Sequence, residues 1–332
     1  MRKILFSFYK ITLISTLLIL SNIFSYANPV RIMPLGDSIT HGYPHGYRSY
    51  LWYKLQDAQY SVDFVGSQDN GYLVTPSFDT NHEGYGGWMT YDIANIVYGL
   101  LVDNPPDIIL LHIGSNDVSP TQGLDSSSIS GLEDILNEID IYERDYHHSI
   151  RVILATIINR REYHQTVRDY NRNLINLAQS RIRNGDRITL VDMEYGAGLN
   201  VNDYGDATHP DGSGYYKMSN VWFDALNTLL LSIPSTPTQL TSTSVEYTSA
   251  TLSWQDNSSN ENGFKIYQNN TLIAILPSNT TSYNISGLKS RETYTFTVKA
   301  YSEGSDSAPI NIVLTTKDDF AWLVPIYHAI LN

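Results

Sequence analysis

Ser38 closes the apolar run Ile32-Met33-Pro34-Leu35-Gly36-Asp37-Ser38, a pattern that reads as a buried strand delivering one hydroxyl to the edge of a sheet. A serine hydroxyl is a poor nucleophile until a base takes its proton. His209 is the candidate base. Asp206 precedes it in Asp206-Ala207-Thr208-His209, near enough for its carboxylate to accept from His209 Nδ1. That contact would fix the tautomer and leave Nε2 facing Ser38. Attack on a carbonyl then builds an oxyanion, which needs fixed donors. Three donors are candidates: Ser38 N–H, Asn116 Nδ2 from Gly114-Ser115-Asn116-Asp117, and a glycine N–H from His82-Glu83-Gly84-Tyr85-Gly86-Gly87-Trp88. Glycine lets a backbone approach a ligand closely. The set predicts acyl transfer through an acyl-serine. The order Ser, Asp, His matches α/β hydrolases, yet the Gly-x-Ser-x-Gly elbow is absent and the Asp–His spacing is far too short. The logic is that of a triad on another scaffold.

Elements must bring these distant residues together. Strand-like runs at 30–35, 62–65, 108–113, 152–156 and 188–191 alternate with helix-like segments at 47–58, 129–145 and 167–183. The run Asp107-Ile-Ile-Leu-Leu-His-Ile113 is apolar on both faces, as in a parallel sheet covered by helices. Alternation of this kind predicts a doubly wound α/β domain. Loops beyond the carboxyl ends of its strands build the site, and Ser38 and Asn116 fall in such loops.

Neighbouring polar residues carry plainer readings. Asp37 reads as a turn residue whose carboxylate binds loop N–H groups, and Asp117 is ambiguous for the same reason. Arg48 reads as pairing with a nearby carboxylate. Asp203 with Asp206 lacks the further carboxylates of a metal site. His41, His45 and His82 lie on separate loops without ligand spacing and read as pocket walls. His147-His148 reads as a solvated helix end. Tyr43, Tyr47, Tyr85 and Trp88 flank the predicted site; Tyr43, Tyr85 and Trp88 are the candidate substrate walls, with loop packing as the alternative.

Gly-Asp-Ser, a glycine block, Gly-x-Asn-Asp and Asp-x-x-His, in that order, resemble the four blocks of the SGNH (GDSL-type) hydrolases. The longer stretches 32–42, 82–88, 111–117 and 206–212 resemble carbohydrate esterase family three, which contains acetyl xylan esterases. Gly-Asp-Ser-Ile stands where many members have Gly-Asp-Ser-Leu, a change that conserves volume. The resemblance implies a three-layer αβα flavodoxin-like parallel sheet. It assigns Ser38 as nucleophile, His209 as base and Asp206 as its partner. It places Ser38, Gly87 and Asn116 in the oxyanion hole, with Gly84 and Gly86 as alternatives to Gly87. It implies no cofactor and no metal.

Arg2, Lys3 and Lys10, the apolar stretch 11–23 and Ser25-Tyr26-Ala27 form a secretory signal pattern, predicting a signal peptide over 1–27, a mature start at Asn28, no stable membrane span afterwards, and a secreted or periplasmic protein. Loss of those three basic residues, with no acidic residue beside them, takes the net charge from -13 to -16. Such a surface disfavours nucleic acid and anionic lipid. The chain has 332 residues and no cysteine, which excludes disulfides, thiol nucleophiles and cysteine metal sites. Its length predicts two domains. Composition changes at Pro234-Ser-Thr-Pro237. Period-two runs such as Thr251-Leu-Ser-Trp254 and Tyr294-Thr-Phe-Thr-Val298 then predict a β-sandwich. Residues 236–316 resemble a fibronectin type III domain, with Trp254 as core tryptophan and Leu288 with Tyr294 as tyrosine corner. The predicted divisions are 28–232, 233–316 and a tail at 317–332, acidic and then apolar.

The reading is a secreted serine esterase removing acetyl groups from polysaccharide, xylan first. The alternatives are an esterase, lipase or thioesterase for lipid or aryl esters, and a non-catalytic carbohydrate-binding or adhesion protein. Oligomeric state is not legible.

Overall fold

The computed structural model describes residues 29–318, except 44, 120–122, 125–126 and 303–304. The signal pattern and most of the tail lie outside the described residues. In chain order the first part runs β1 (Val30–Gly36), α1 (Ser38–His41), α2 (Arg48–Asp57), β2 (Val62–Phe64), β3 (Glu83–Gly84), α3 (Thr90–Ala94), α4 (Val97–Asp103) and β4 (Ile108–His112). It continues through β5 (Val118–Ser119), β6 (Gly123–Leu124), α5 (Ser128–Tyr146), β7 (Arg151–Ala155), α6 (Gln165–Arg183), β8 (Ile188–Val191), α7 (Met193–Gly196) and α8 (Gly212–Ser232).

The main sheet is parallel in the order β2-β1-β4-β7-β8, with β3 continuing alongside β1. Counting only the long strands, this is the flavodoxin-like order, with its switch point between β1 and β4. The strands read as unbroken apolar runs because alternate residues serve different cores. Met33, Leu35, Ile109, Leu111, Val152 and Leu154 pack with residues of α3 to α6. Ile32, Ile108, Leu110, Ile153 and Ala155 pack on the other face with α2 and α8. A one-residue step reverses the side-chain direction in a strand, so both faces are covered and the layers number three.

Helix α8 was not among the predicted helices. It opens on Gly212-Ser213-Gly214, poor helix formers. Asp211 compensates as N-cap, its carboxylate accepting from Ser213 N–H and Gly214 N–H. Tyr215, Met218, Trp222, Leu226 and Leu229 then recur at helical spacing and are buried.

Beyond α8 the chain forms β9 (Thr238–Thr243), β10 (Ser249–Gln255), β11 (Gly263–Gln268), β12 (Thr271–Pro277), β13 (Ser282–Ser286), β14 (Thr293–Ser302), β15 (Ser305–Asp306) and β16 (Ile310–Thr315). Antiparallel sheets β13-β10-β9 and β12-β11-β14, with β15 and β16 on β14, enclose a separate core. Trp254 packs on Phe264 within it. Lys289 N–H donates to Tyr294 Oη at 2.9 Å beside buried Leu288, the tyrosine-corner contact.

Candidate active site

Three loops at the carboxyl edge of the main sheet hold Ser38, Asn116 and the pair Asp206 and His209. The first leaves β1. Asp37 is fully buried and caps α1 by accepting from Ile39 N–H, as a short carboxylate does at a helix start. That fixes Ser38 as the first helical residue. Its N–H donates no hydrogen bond among the described residues. Gly36 permits the close approach of β1 to β4: a Cβ there would lie 2.0 Å from the His112 carbonyl oxygen.

The second loop follows β4. Asp37 reaches it as well, accepting from Ser115 N–H at 3.3 Å. Asn116 Nδ2 donates to Trp88 O at 2.8 Å, which engages one amide hydrogen and leaves the other. Asp117, ambiguous in sequence, accepts from Thr90 N–H and Thr90 Oγ1 and so ties this loop to α3.

The third loop precedes α8. Ser38 Oγ lies 2.9 Å from His209 Nε2, and His209 Nδ1 lies 2.8 Å from Asp206 Oδ2. An ionised carboxylate only accepts. Nδ1 therefore carries the proton, and Nε2 accepts from the serine. Asp206 Oδ1 also accepts from Thr208 N–H and His209 N–H, each at 2.7 Å. Burial alone would raise this carboxyl. The donors from His209 and Thr208 outweigh it and hold the pKa at about 2, below the ordinary 3.8.

Among the three glycines, Gly84 is committed elsewhere. Its N–H donates to His82 Nδ1, and a Cβ on it would lie 2.4 Å from His41 N. Gly86 and Gly87 are exposed, and neither N–H has an acceptor among the described residues. Tyr85 and Trp88 stack at 4.4 Å between centroids and pack against the core, so each already has one face covered. Tyr43 is 92% exposed, and Tyr47 is buried against Trp222.

Arg48 departs from its reading. It is fully buried, and among the described residues no carboxylate lies within ion-pair distance of it. It donates instead to the carbonyls of Thr40, His41, Thr80 and Asn70 and to the Asn70 side chain. Two of those carbonyls end α1, so Arg48 caps the helix that Ser38 begins. Burial lowers its pKa to about 10. His82 is no exposed wall: it is buried, and burial, with Arg48 and His41 nearby, lowers its pKa to about 2. Neutral His82 donates from Nε2 to Asn70 Oδ1 at 2.6 Å. His148 is half-buried, and its Nε2 donates to Pro106 O at 2.8 Å with Asp107 Oδ1 at 3.8 Å. Among the described residues no cluster of three or more acids and histidines could hold a metal.

Residues 35–217, more than half of the chain, match the model of the GDSL-like lipase/acylhydrolase family. The chain belongs to that family. Residues 235–315 match the fibronectin type III domain. The GDSL-like part is similar to a carbohydrate esterase family 3 structure from Talaromyces cellulolyticus, with 28% identity and a TM-score of 0.54, over 61% of this chain and 98% of that one. It is similar to the same extent to an acetyl esterase mutant holding an acetate ion, at 27% identity, TM-score 0.54, and the same coverage of 61% and 98%. A multidomain esterase of Ruminococcus flavefaciens is 31% identical over 237 residues, 61% of this chain and 29% of that protein. The chain thus spans less than a third of that relative. Among the described residues no helix is long and apolar enough to cross a membrane.

Proposed function

We propose that this protein is a serine esterase that removes acetyl groups from polysaccharide, with acetylated xylan as the leading substrate. The observation that carries the reading is the unbroken relay Ser38–His209–Asp206, with contacts of 2.9 and 2.8 Å. Ser38 Oγ attacks the acetyl carbon while its proton passes to His209 Nε2. Ser38 N–H, Gly87 N–H and the second hydrogen of Asn116 Nδ2 hold the oxyanion, each lowering the barrier by about 3 kcal/mol. The tetrahedral adduct collapses, and His209 gives its proton to the departing sugar oxygen. Water then attacks the acetyl-serine, His209 takes one of its protons, and acetate leaves as Ser38 recovers its own. No metal or cofactor is needed for these steps.

The likeness to an acetyl esterase supports the acetyl preference, and the likeness to a family 3 carbohydrate esterase supports a carbohydrate ester. Tyr43, Tyr85 and Trp88 would offer aromatic faces to the sugar. Residues 1–27 would direct export, 28–232 would carry catalysis, 233–316 would act as an appended module, and 317–332 would form a tail. The acidic surface suits a neutral polymer rather than nucleic acid.

Acetate release from acetylated xylan, acetylated chitin oligomers and a triglyceride tests this. The reading predicts release from xylan and a steep fall in rate with acyl length on model esters. A preference for long acyl chains would transfer the protein to lipid substrates.

A further inference from the structure

The three loops must agree in position to a few tenths of an ångström, because the oxyanion donors and the proton relay act on one carbonyl. Two side chains outside the relay tie these loops together. Asp37 links the Ser38 loop to the Asn116 loop through Ser115 N–H. The second tie comes from a fourth loop, the one leaving β7.

Arg160 sits on that loop and is half-buried. Its Nη2 donates to Ser115 O at 3.1 Å and Val118 O at 3.0 Å, the carbonyls flanking Asn116 and Asp117. Its Nη1 donates to Thr208 Oγ1 at 2.5 Å, the residue beside His209. One planar group therefore spans the oxyanion loop and the acid–base loop. A neighbouring backbone bond, Arg161 N–H to Ala207 O at 3.1 Å, runs parallel to it. The loop is itself tied down by hydrogen bonds: Ile157 N–H donates to Asn171 Oδ1, Tyr204 Oη to Asn159 O, and Arg160 N–H to Asn159 Oδ1.

We propose that Arg160 is a positioning residue for the reaction: it sets the distance between the Asn116 donor and the Ser38–His209 relay by holding both loops on one guanidinium. This rests on the esterase reading given above. A guanidinium suits the task because its donors are fixed in a plane and reach several acceptors at once. An ammonium is a point donor and cannot span both loops in the same way. Arg160 lies outside all four sequence blocks, and its partners are mostly main-chain carbonyls.

The test compares wild type with Arg160→Met, Arg160→Lys and Thr208→Val on a small acetyl ester, below the melting temperature of each. Two readouts are taken: the kcat and KM pair, and the rate at which a phosphonylating reagent labels Ser38. For Arg160→Met, kcat should fall on the order of 100-fold while KM stays within about twofold. Labelling should slow as well. Arg160→Lys should recover only part of the loss. Thr208→Val should lower kcat less, and adding it to Arg160→Met should cost almost nothing further, because both act through one contact. Unchanged kcat and labelling in folded Arg160→Met would overturn the proposal. So would additive losses in the double variant, or full recovery with lysine. If Arg160→Met does not fold, Thr208→Val and Arg160→Lys decide in the same terms. Wild-type protein that labels at Ser38 but releases no acetate would defeat the esterase reading, while the labelling rates would still judge Arg160.

Discussion

Ser38 owes its reactivity to an imidazole whose tautomer is set by Asp206, and Asp206 is held by three donors from Thr208 and His209. The carboxyl pKa of about 2 lies below the ordinary 3.8. Between those values the unfolded chain takes up a proton and the folded chain does not. This contribution to stability is therefore present above the ordinary value and is lost as pH falls through about 2. Asp206 is exposed, so solvent screening keeps the effect small. Asp206→Asn should flatten stability slightly across that acid window, measured by urea unfolding at stepped pH. It should lower kcat on the order of 1,000-fold or more, since an amide cannot hold the required tautomer. An unchanged kcat would detach Asp206 from the relay.

At the scale of elements, the two-residue β3 left no pattern, but the five predicted strands were legible, β1, β4 and β7 because their central residues are apolar on both faces, and their predicted ends fall within a residue of the observed ones. Helices α3, α4 and α8 were not. The first two are short and divided at Asn95-Ile96, and α8 begins on weak formers that Asp211 rescues. The relay and its Asn116 neighbour were legible because their residue types are rare in combination. Arg48 and Arg160 were not, because a carbonyl acceptor leaves no trace in sequence. The location of Arg160 just past a strand's carboxyl end was the signal available. The consequence for Arg48 is testable. Arg48→Met leaves the Thr40 and Thr80 carbonyls without this donor and the His41 carbonyl with Asn70 Nδ2 alone. It should cost about 3 kcal/mol in unfolding free energy and expose the 66–82 segment to proteolysis. A loss below about 1 kcal/mol would show those carbonyls finding other partners.

Across the whole molecule, the hydrophobic residues fall into two clusters flanking the parallel sheet and a third inside the β-sandwich. No residue of the relay lies in the third. Trp254 is buried there against Phe264. Trp254→Ala should destabilise the sandwich by about 4 kcal/mol while leaving kcat on a small acetyl ester unchanged. Calorimetry of the full chain alongside an ester assay checks both. A parallel fall in kcat would mean that the sandwich supports the site.

Rapid quenching of the full chain during turnover of an acetyl ester, followed by peptide mass spectrometry, tests the central claim most directly. An acetyl group should appear on the peptide bearing Ser38, accumulate before steady state, and vanish in Ser38→Ala together with turnover. Steady turnover with Ser38 unmodified, or turnover retained in Ser38→Ala, would contradict the account.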